Sequence, residues 1–127
     1  MTRLAHCSCR QLQIEADGDP LKVSICHCTE CQRRTGSAFG VGVFYRSTQV
    51  GSSGDYRTYV RQGDSGKGVE FRFCPNCGST VYWLPQFRPG LVAVALGSFD
   101  DAQSILPSQS VYDAYRHSWV QLNLNPL

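Results

Sequence analysis

The positions of seven cysteines constrain this chain more than any other feature. They fall into three groups: Cys7 and Cys9 in "CSC", Cys26, Cys28 and Cys31 in "CHCTEC", and Cys74 and Cys77 in "CPNCG". The last has the form of a metal knuckle, a tight turn that aims two sulfurs at one point, with Gly78 free to take positive φ. A knuckle supplies two ligands, whereas a tetrahedral structural zinc takes four. Cys7 and Cys9, two apart on an extended chain, point to the same side and offer the other pair. The spacing therefore predicts a structural zinc site with four cysteine ligands, Cys7, Cys9, Cys74 and Cys77. Binding of such a zinc is worth about 10–16 kcal/mol in small peptides, while a whole domain is stable by only about 5–15 kcal/mol. Folding would depend on that site. The competing reading, four thiols buried in a core, leaves the knuckle without a reason.

Cys26, Cys28 and Cys31 then have no fourth cysteine. Structural zinc sites are closed by four ligands, and catalytic ones keep three plus an open position. His27 sits between Cys26 and Cys28 and would point the opposite way on an extended chain. His6 and His117 are the other histidines that could close the site. The segment "TECQ" matches a capping box, with Thr29 as cap and Gln32 reaching back, and Gly36 is a suitable stop. The expected helix runs from about Glu30 to Thr35, with Cys28 and Cys31 at its start, where thiolates are favoured. Three thiolates around Zn²⁺ carry a net charge of −1. Arg33 and Arg34 follow at once and could offset that charge or hold an anionic ligand.

The rest of the chain reads as short strands. "LQIEA" (12–16) and "LKVSIC" (21–26) alternate apolar and polar residues, and "SAFGVGVFY" (37–45) is β-rich. Gly40 and Gly42 mark a bulge or a close approach of another group. "YRTYV" (56–60) and "VEFRFC" (69–74) flank the loop signal "RQGDSGKG" (61–68), while "STVYWL" (79–84) and "LVAVAL" (91–96) flank "PQFRPG" (85–90). "FDDAQSIL" (99–106) predicts a second short helix or turn. The result is a mainly β chain forming one domain over residues 1–127, as in sandwiches and open barrels. Phe39, Phe44, Phe71, Phe73, Tyr82, Trp83 and Trp119 are expected in the core, with Phe39 the one placed to line a pocket. An exposed sheet edge would be compatible with a dimer.

A net charge of +2 gives no argument for nucleic acid. The apolar run at 91–96 is far too short to span a bilayer, and "MTRLAHCSCRQ" lacks the apolar stretch of a secretory signal. The expected location is the cytoplasm, where thiols stay reduced, and an odd cysteine count argues against a closed disulfide framework.

The stretches "CSC", "CHCTECQRRTGSAFG" and "FRFCPNCGSTVYW", with the later "LGSFDD" and "HSWV", resemble the glutathione-dependent formaldehyde-activating enzyme family, whose domain centromere protein V shares. The resemblance covers nearly the whole chain. It implies several short coiled antiparallel sheets around a structural zinc, with one or two short helices. It implies a structural role for Cys7, Cys9, Cys74 and Cys77, and a second zinc with a catalytic role at Cys26, Cys28 and Cys31. The implied activity is that of a carbon–sulfur lyase acting in reverse: glutathione adds to formaldehyde to give S-hydroxymethylglutathione. Arg33 and Arg34 would hold the thiol's carboxylates, and Tyr45, Tyr59 and Asp100 are candidates for the proton donor. One position departs from the family pattern: "PSQSV" puts Ser110 where many members carry histidine. That change bears on the substrates and leaves the zinc ligands untouched. The rival readings are a non-catalytic zinc module and a thiol redox or metal-handling protein.

Overall fold

The computed structural model describes residues 1–63 and 66–126. Its strands are β1 Thr2–His6, β2 Gln13–Asp17, β3 Lys22–Cys26, β4 Gly40–Arg46, β5 Val50–Ser53, β6 Arg57–Gln62, β7 Gly68–Phe73, β8 Thr80–Pro85, β9 Leu91–Ala95 and β10 Gln109–Val111, and its one α-helix is α1 Thr29–Thr35. They form a small sheet in the order β1-β2-β5 and a large one in the order β10-β3-β4-β9-β8-β7-β6. Every pairing is antiparallel except that of β10 with β3, where Gln109, Ser110 and Val111 run alongside Ser24, Ile25 and Cys26. The sheets are antiparallel as expected, apart from this one pairing. β10 reaches β3 only after the long excursion from β9, which brings the chain back in the same direction.

Strand alternation divides the large sheet into two faces with different duties. One face, with Val23, Val43, Tyr45, Val92 and Val94, packs on Ala5, Leu12, Ile14 and Ala16 from the β1–β2 region to make the main core. Burial of each large apolar side chain is worth about 1.5–3 kcal/mol, so this layer holds the domain together. The opposite face carries a smaller cluster of Val69, Phe71, Trp83 and Ala93, with Phe44 packed against it. No second sheet covers it among the described residues. A bulge in β8 lets neighbouring residues serve the same side. Arg72 pairs with Tyr82 and Phe73 with Thr80, so Val81 is the extra residue, and both Val81 and Tyr82 join the main core.

Seven predicted strands are present within a few residues of their expected limits, the N-terminal strand β1 ends at His6, before the cysteines, and β5 and β10 have no counterpart in the sequence pattern. The predicted loop at 61–68 joins β6 to β7, and its tip, residues 64 and 65, lies outside the described residues. The second helix is a single 3₁₀ turn, Ala102–Ser104. Two local expectations need correction. Cys7 and Cys9 lie beyond β1, in a turn where Cys7 N–H donates to Leu12 O and Arg10 takes φ +72°. Trp119 is 72% exposed, not core. No helix among the described residues is long and apolar enough to cross a membrane.

Candidate metal centres and the cavity beside them

The chain brings Cys7, Cys9, Cys74 and Cys77 together, with all four sulfurs within 4.8 Å of one another. Cys9 Sγ stands 3.7 Å from Cys7 Sγ and 3.6 Å from Cys74 Sγ. A tetrahedron of sulfurs about 2.3 Å from a central ion has edges of about 3.8 Å, so the spacing fits a tetrahedral metal. It is far too wide for disulfides, and all seven cysteines are free. The knuckle is built as its sequence requires. Gly78 takes φ +79°, and its N–H donates to Cys74 O at 2.8 Å. Donors converge on the sulfurs: Leu12 N on Cys7 at 3.2 Å, and Asn76 N and Gln11 Nε2 on Cys74 at 3.3 and 3.4 Å. Ser79, helped by its own backbone, draws Cys77 down to about 5. Burial pushes Cys7 up, opposed by the Leu12 N–H.

Cys26, Cys28 and Cys31 form a second group, again with all sulfurs within 4.8 Å, and no histidine or carboxylate joins it among the described residues. Cys26 ends β3 and Cys31 lies in the first turns of α1. The cap differs from the expected one. Cys28, not Thr29, is the cap, its sulfur accepting from Cys31 N at 3.3 Å. Gln32 reaches back to His27 O at 2.8 Å rather than to Thr29. A cysteine can replace the usual hydroxyl because its sulfur accepts the same N–H and is held near the other two thiols. Gly36, in the left-handed region at φ +65°, ends the helix as foreseen.

All three histidines are occupied elsewhere. His6 Nε2 pairs with Asp100 at 2.9 Å. His117 Nε2 lies 2.9 Å from Gln32 Oε1 and its ring stacks on Trp119. His27 is fully buried, edge-on to Phe39, with Nε2 3.0 Å from Ser110 Oγ. Ser110 donates its proton to Asp113 Oδ1, so it accepts from His27 Nε2. Ser110 thus occupies the position where the family resemblance leads one to expect histidine, and it anchors the imidazole between two cysteines. Burial pulls His27 below its ordinary value.

Electrostatics separate the three thiols. Cys31 is drawn down to about 5, chiefly by its hydrogen bond with Cys26, with further help from Cys28 and the cations Arg34 and Arg61 against the cost of burial. Cys26 is pushed the other way by the same bond and by burial. The hydrogen bond between the two thus favours one shared proton, lying towards Cys26, and a single negative charge.

The two arginines after the cluster part company. Arg33 is exposed and pairs with Glu30 at 3.1 Å. Arg34 turns inward, its guanidinium carbon 4.4 Å from the Trp83 ring centroid and 5.4 Å from that of Phe71. Gly40 and Gly42 make this possible. A Cβ on Gly40 would stand 2.6 Å from Arg34 Nη2, and one on Gly42 2.9 Å from Trp83 Cζ2. The expected close approach is real, and what approaches is side chains.

A cavity of about 580 Å³ opens beside Cys26, Cys28 and Cys31. Its floor is the uncovered face of the large sheet: Lys22, Ser24 and Cys26 from β3, Gly40, Gly42 and Phe44 from β4, with Phe71 and Trp83 beyond. Phe87, Tyr112 and Tyr115, each about half exposed, stand among its lining residues. Phe39 lines a separate cavity of about 430 Å³ on the other side of Arg34. Of the residues considered as proton donors, Tyr45 is in the main core, Tyr59 is 62% exposed and Asp100 pairs with His6, and none of them lines the larger cavity. Sequence reasoning missed Arg61 and Lys22, which do. Only the alternation of β3 and β6 could have placed them, and it does not say which face stays open.

Fold and site define a mainly β protein with one four-thiol and one three-thiol group of metal-binding geometry. The model of the family described as glutathione-dependent formaldehyde-activating enzyme matches residues 2–115, and the chain belongs to that family. A crystal structure of a Rhodobacter sphaeroides protein has a similar fold, with a TM-score of 0.60 at 18% identity over 77% of this chain and 88% of that one. Comparison with curated protein sequences gives no match.

Proposed function

We propose that the protein is a zinc-dependent carbon–sulfur lyase, working in the direction of synthesis, that joins a small thiol such as glutathione to an aldehyde such as formaldehyde. Cys7, Cys9, Cys74 and Cys77 would hold a structural zinc, and Cys26, Cys28 and Cys31 a second one. The donor sets fit: all-sulfur ligands at tetrahedral spacing are those zinc takes. Zinc at the three-cysteine site would offer an open position at which a thiol is carried as thiolate.

The observation that carries this reading is the contrast between the two groups. The four-thiol group has its full ligand set and lies outside the large cavity. The three-thiol group opens onto it. Cys28 fixes its own sulfur by capping α1, and the His27–Ser110 contact holds the Cys26–Cys28 segment from behind. Arg34 and Arg61 lie near enough to Cys31 to offset the negative charge of the thiolates, and Phe71 and Trp83 give the cavity an apolar floor. In the reaction the sulfur electron pair attacks the carbonyl carbon. The C=O π pair moves to oxygen, which takes up the proton the thiol gave up, so RSH and CH₂O yield RSCH₂OH. A site of reduced thiols suits the cytoplasm.

The test is hydroxymethyl exchange between formaldehyde and glutathione, followed by NMR with and without protein. Acceleration well above the spontaneous rate is expected. No acceleration with any small thiol would return the site to a non-catalytic zinc module.

A further inference from the structure

The reaction proposed above leaves an oxyanion that must be protonated, and Tyr45, Tyr59 and Asp100 all lie outside the large cavity. Tyr112 lies within it because of an unusual backbone. It takes φ +57° and ψ +41°, in the left-handed region, which a bulky aromatic residue rarely adopts. Among the described residues the other non-glycine with positive φ is Arg10, in the turn of the four-thiol group. The conformation redirects the side chain. Along β10, Gln109 and Val111 line the large cavity, while Ser110 between them faces the rear, towards His27. A regular strand would send Tyr112 to the rear as well. The left-handed turn brings it to the front, so the consecutive residues Val111 and Tyr112 line the same cavity.

The surroundings hold this conformation in place. Behind it, Ser110 donates to Asp113 Oδ1, and His27 Nε2 lies 3.0 Å from Ser110 Oγ. Ahead of it, Tyr115 N–H donates to Tyr112 O at 3.1 Å and Arg116 N–H to Asp113 O at 3.0 Å, closing a 3₁₀ turn. Beside it, His27 N–H donates to Val111 O at 3.2 Å. A strained backbone persists only where its neighbours over-determine it, and such positions cluster at active sites. The register shows which site is served. Val111 is the parallel partner of Cys26, one strand spacing away, about 4.8 Å. The chain therefore turns into the cavity at the end where the three sulfurs lie.

Chemistry selects among the groups that line the cavity. A donor must hold its proton at neutral pH and release it to an alkoxide. Arginines such as Arg34 and Arg61 do not give up protons. Glu30 is the carboxylate of an ion pair with Arg33. Lys22 is four residues of strand rise from Cys26, about 13 Å. A phenol, with an ordinary pKa of about 10, meets both demands. Two phenols line the cavity, and Tyr115 is three residues further from Val111, its ring centroid 6.5 Å from that of Tyr112. We propose that Tyr112 is the proton donor of the thiol–aldehyde reaction, and that its left-handed backbone turns the phenol towards the reacting oxygen. This rests on the thiol–aldehyde reading above and adds a catalytic residue to that site. As the sulfur pair forms the C–S bond, the C=O π pair moves to oxygen and the O–H bond of Tyr112 breaks towards it. The phenolate then takes up the proton that the thiol released, so RSH and CH₂O give RSCH₂OH with the phenol restored.

The experiment follows hydroxymethyl exchange between formaldehyde and glutathione by NMR in wild type, Tyr112→Phe, Tyr112→Gly and Tyr59→Phe. Tyr112→Phe keeps the ring and loses only the hydroxyl, so kcat should fall about a hundredfold with KM within about threefold of wild type. Tyr59→Phe, outside the cavity, should exchange at the wild-type rate. Tyr112→Gly suits the left-handed backbone and leaves a gap beside the sulfurs. Added phenol should raise its rate about tenfold or more. Anisole, which fills the same gap with no proton to give, should not. A ring with a purely structural role would be replaced equally well by either. A fall of less than about tenfold in Tyr112→Phe, an equal fall in Tyr59→Phe, or an equal response of Tyr112→Gly to phenol and anisole overturns the assignment and leaves the thiol–aldehyde reading standing. No exchange in wild type overturns that reading and the assignment with it. Circular dichroism, zinc content and calorimetric binding of S-methylglutathione show that the variants compared are folded with the site intact.

Discussion

Arg34 lies on Trp83 at 4.4 Å from guanidinium carbon to ring centroid, next to the sulfur of Cys31. The contact joins the aromatic floor to the cysteine cluster. A planar guanidinium stacks on the indole while facing the thiolates, which an ammonium group cannot do equally well. Arg34→Lys is expected to keep the fold and to lose the stack, worth about 1–2 kcal/mol. Hydroxymethyl exchange should fall about tenfold or more. A rate within twofold of wild type would separate Arg34 from the chemistry.

Gly42 lies against the same indole, where a Cβ would stand only 2.9 Å from Trp83 Cζ2, too close to fit without a shift. Gly42→Ala forces either the ring or β4 to shift and should cost about 1–3 kcal/mol in urea unfolding. Gly51, with nothing within 4 Å, is the control, and Gly51→Ala should leave the midpoint nearly unchanged.

The two cysteine groups should respond differently to loss of a ligand. Cys77→Ser removes one corner of a closed site whose metal is worth about 10–16 kcal/mol, comparable to the stability of a whole domain, and should unfold the chain. Cys28→Ser should leave it folded with about one zinc fewer, measured by metal analysis and circular dichroism. Equal unfolding by both would sink the division between a structural and a reactive site.

Acid acts through Cys31 and His27 in the same direction. With metal removed from the three-cysteine site, Cys31 ionises near 5 instead of 9.0. Its lowered value stabilises the fold fully above 9.0, and this contribution is lost progressively as the pH falls towards about 5. His27 is held neutral by burial, so below its ordinary value of 6.5 the unfolded chain takes up a proton that the folded one refuses. Alkylation by iodoacetamide, mapped by mass spectrometry, should show Cys31 reacting with a midpoint near pH 5 and Cys26 reacting only under strongly alkaline conditions. Matching profiles for the two would refute the shared-proton picture.

Much of this was legible in the sequence because cysteine spacing is a local code. Cys74, Cys77 and Gly78 specify their turn without help from the rest of the chain, and Val69–Phe71 or Val23–Ile25 declare a strand by alternation alone. What escaped depends on distant partners. β5 and β10 are short strands with weak patterns, and β10 exists because it lies beside β3, more than eighty residues earlier. Arg33 and Arg34 look alike in sequence. Their different fates follow from the helix rotation between them, which sends one towards Glu30 and the other under Trp83. The Cys28 cap was hidden because Thr29 is the stronger capping residue by local preference.

Arg34 and Gly40 line both cavities, so the partition between the two chambers is, at that point, the thickness of one side chain. The smaller chamber is bounded by Gly78, Ser79 and Thr80 from the neighbourhood of the four-thiol group and by Gly97 and Ser98. Two cavities, one on the side of the three-thiol group and one towards the four-thiol group, therefore share a wall made of the Arg34 side chain and the bare backbone of Gly40.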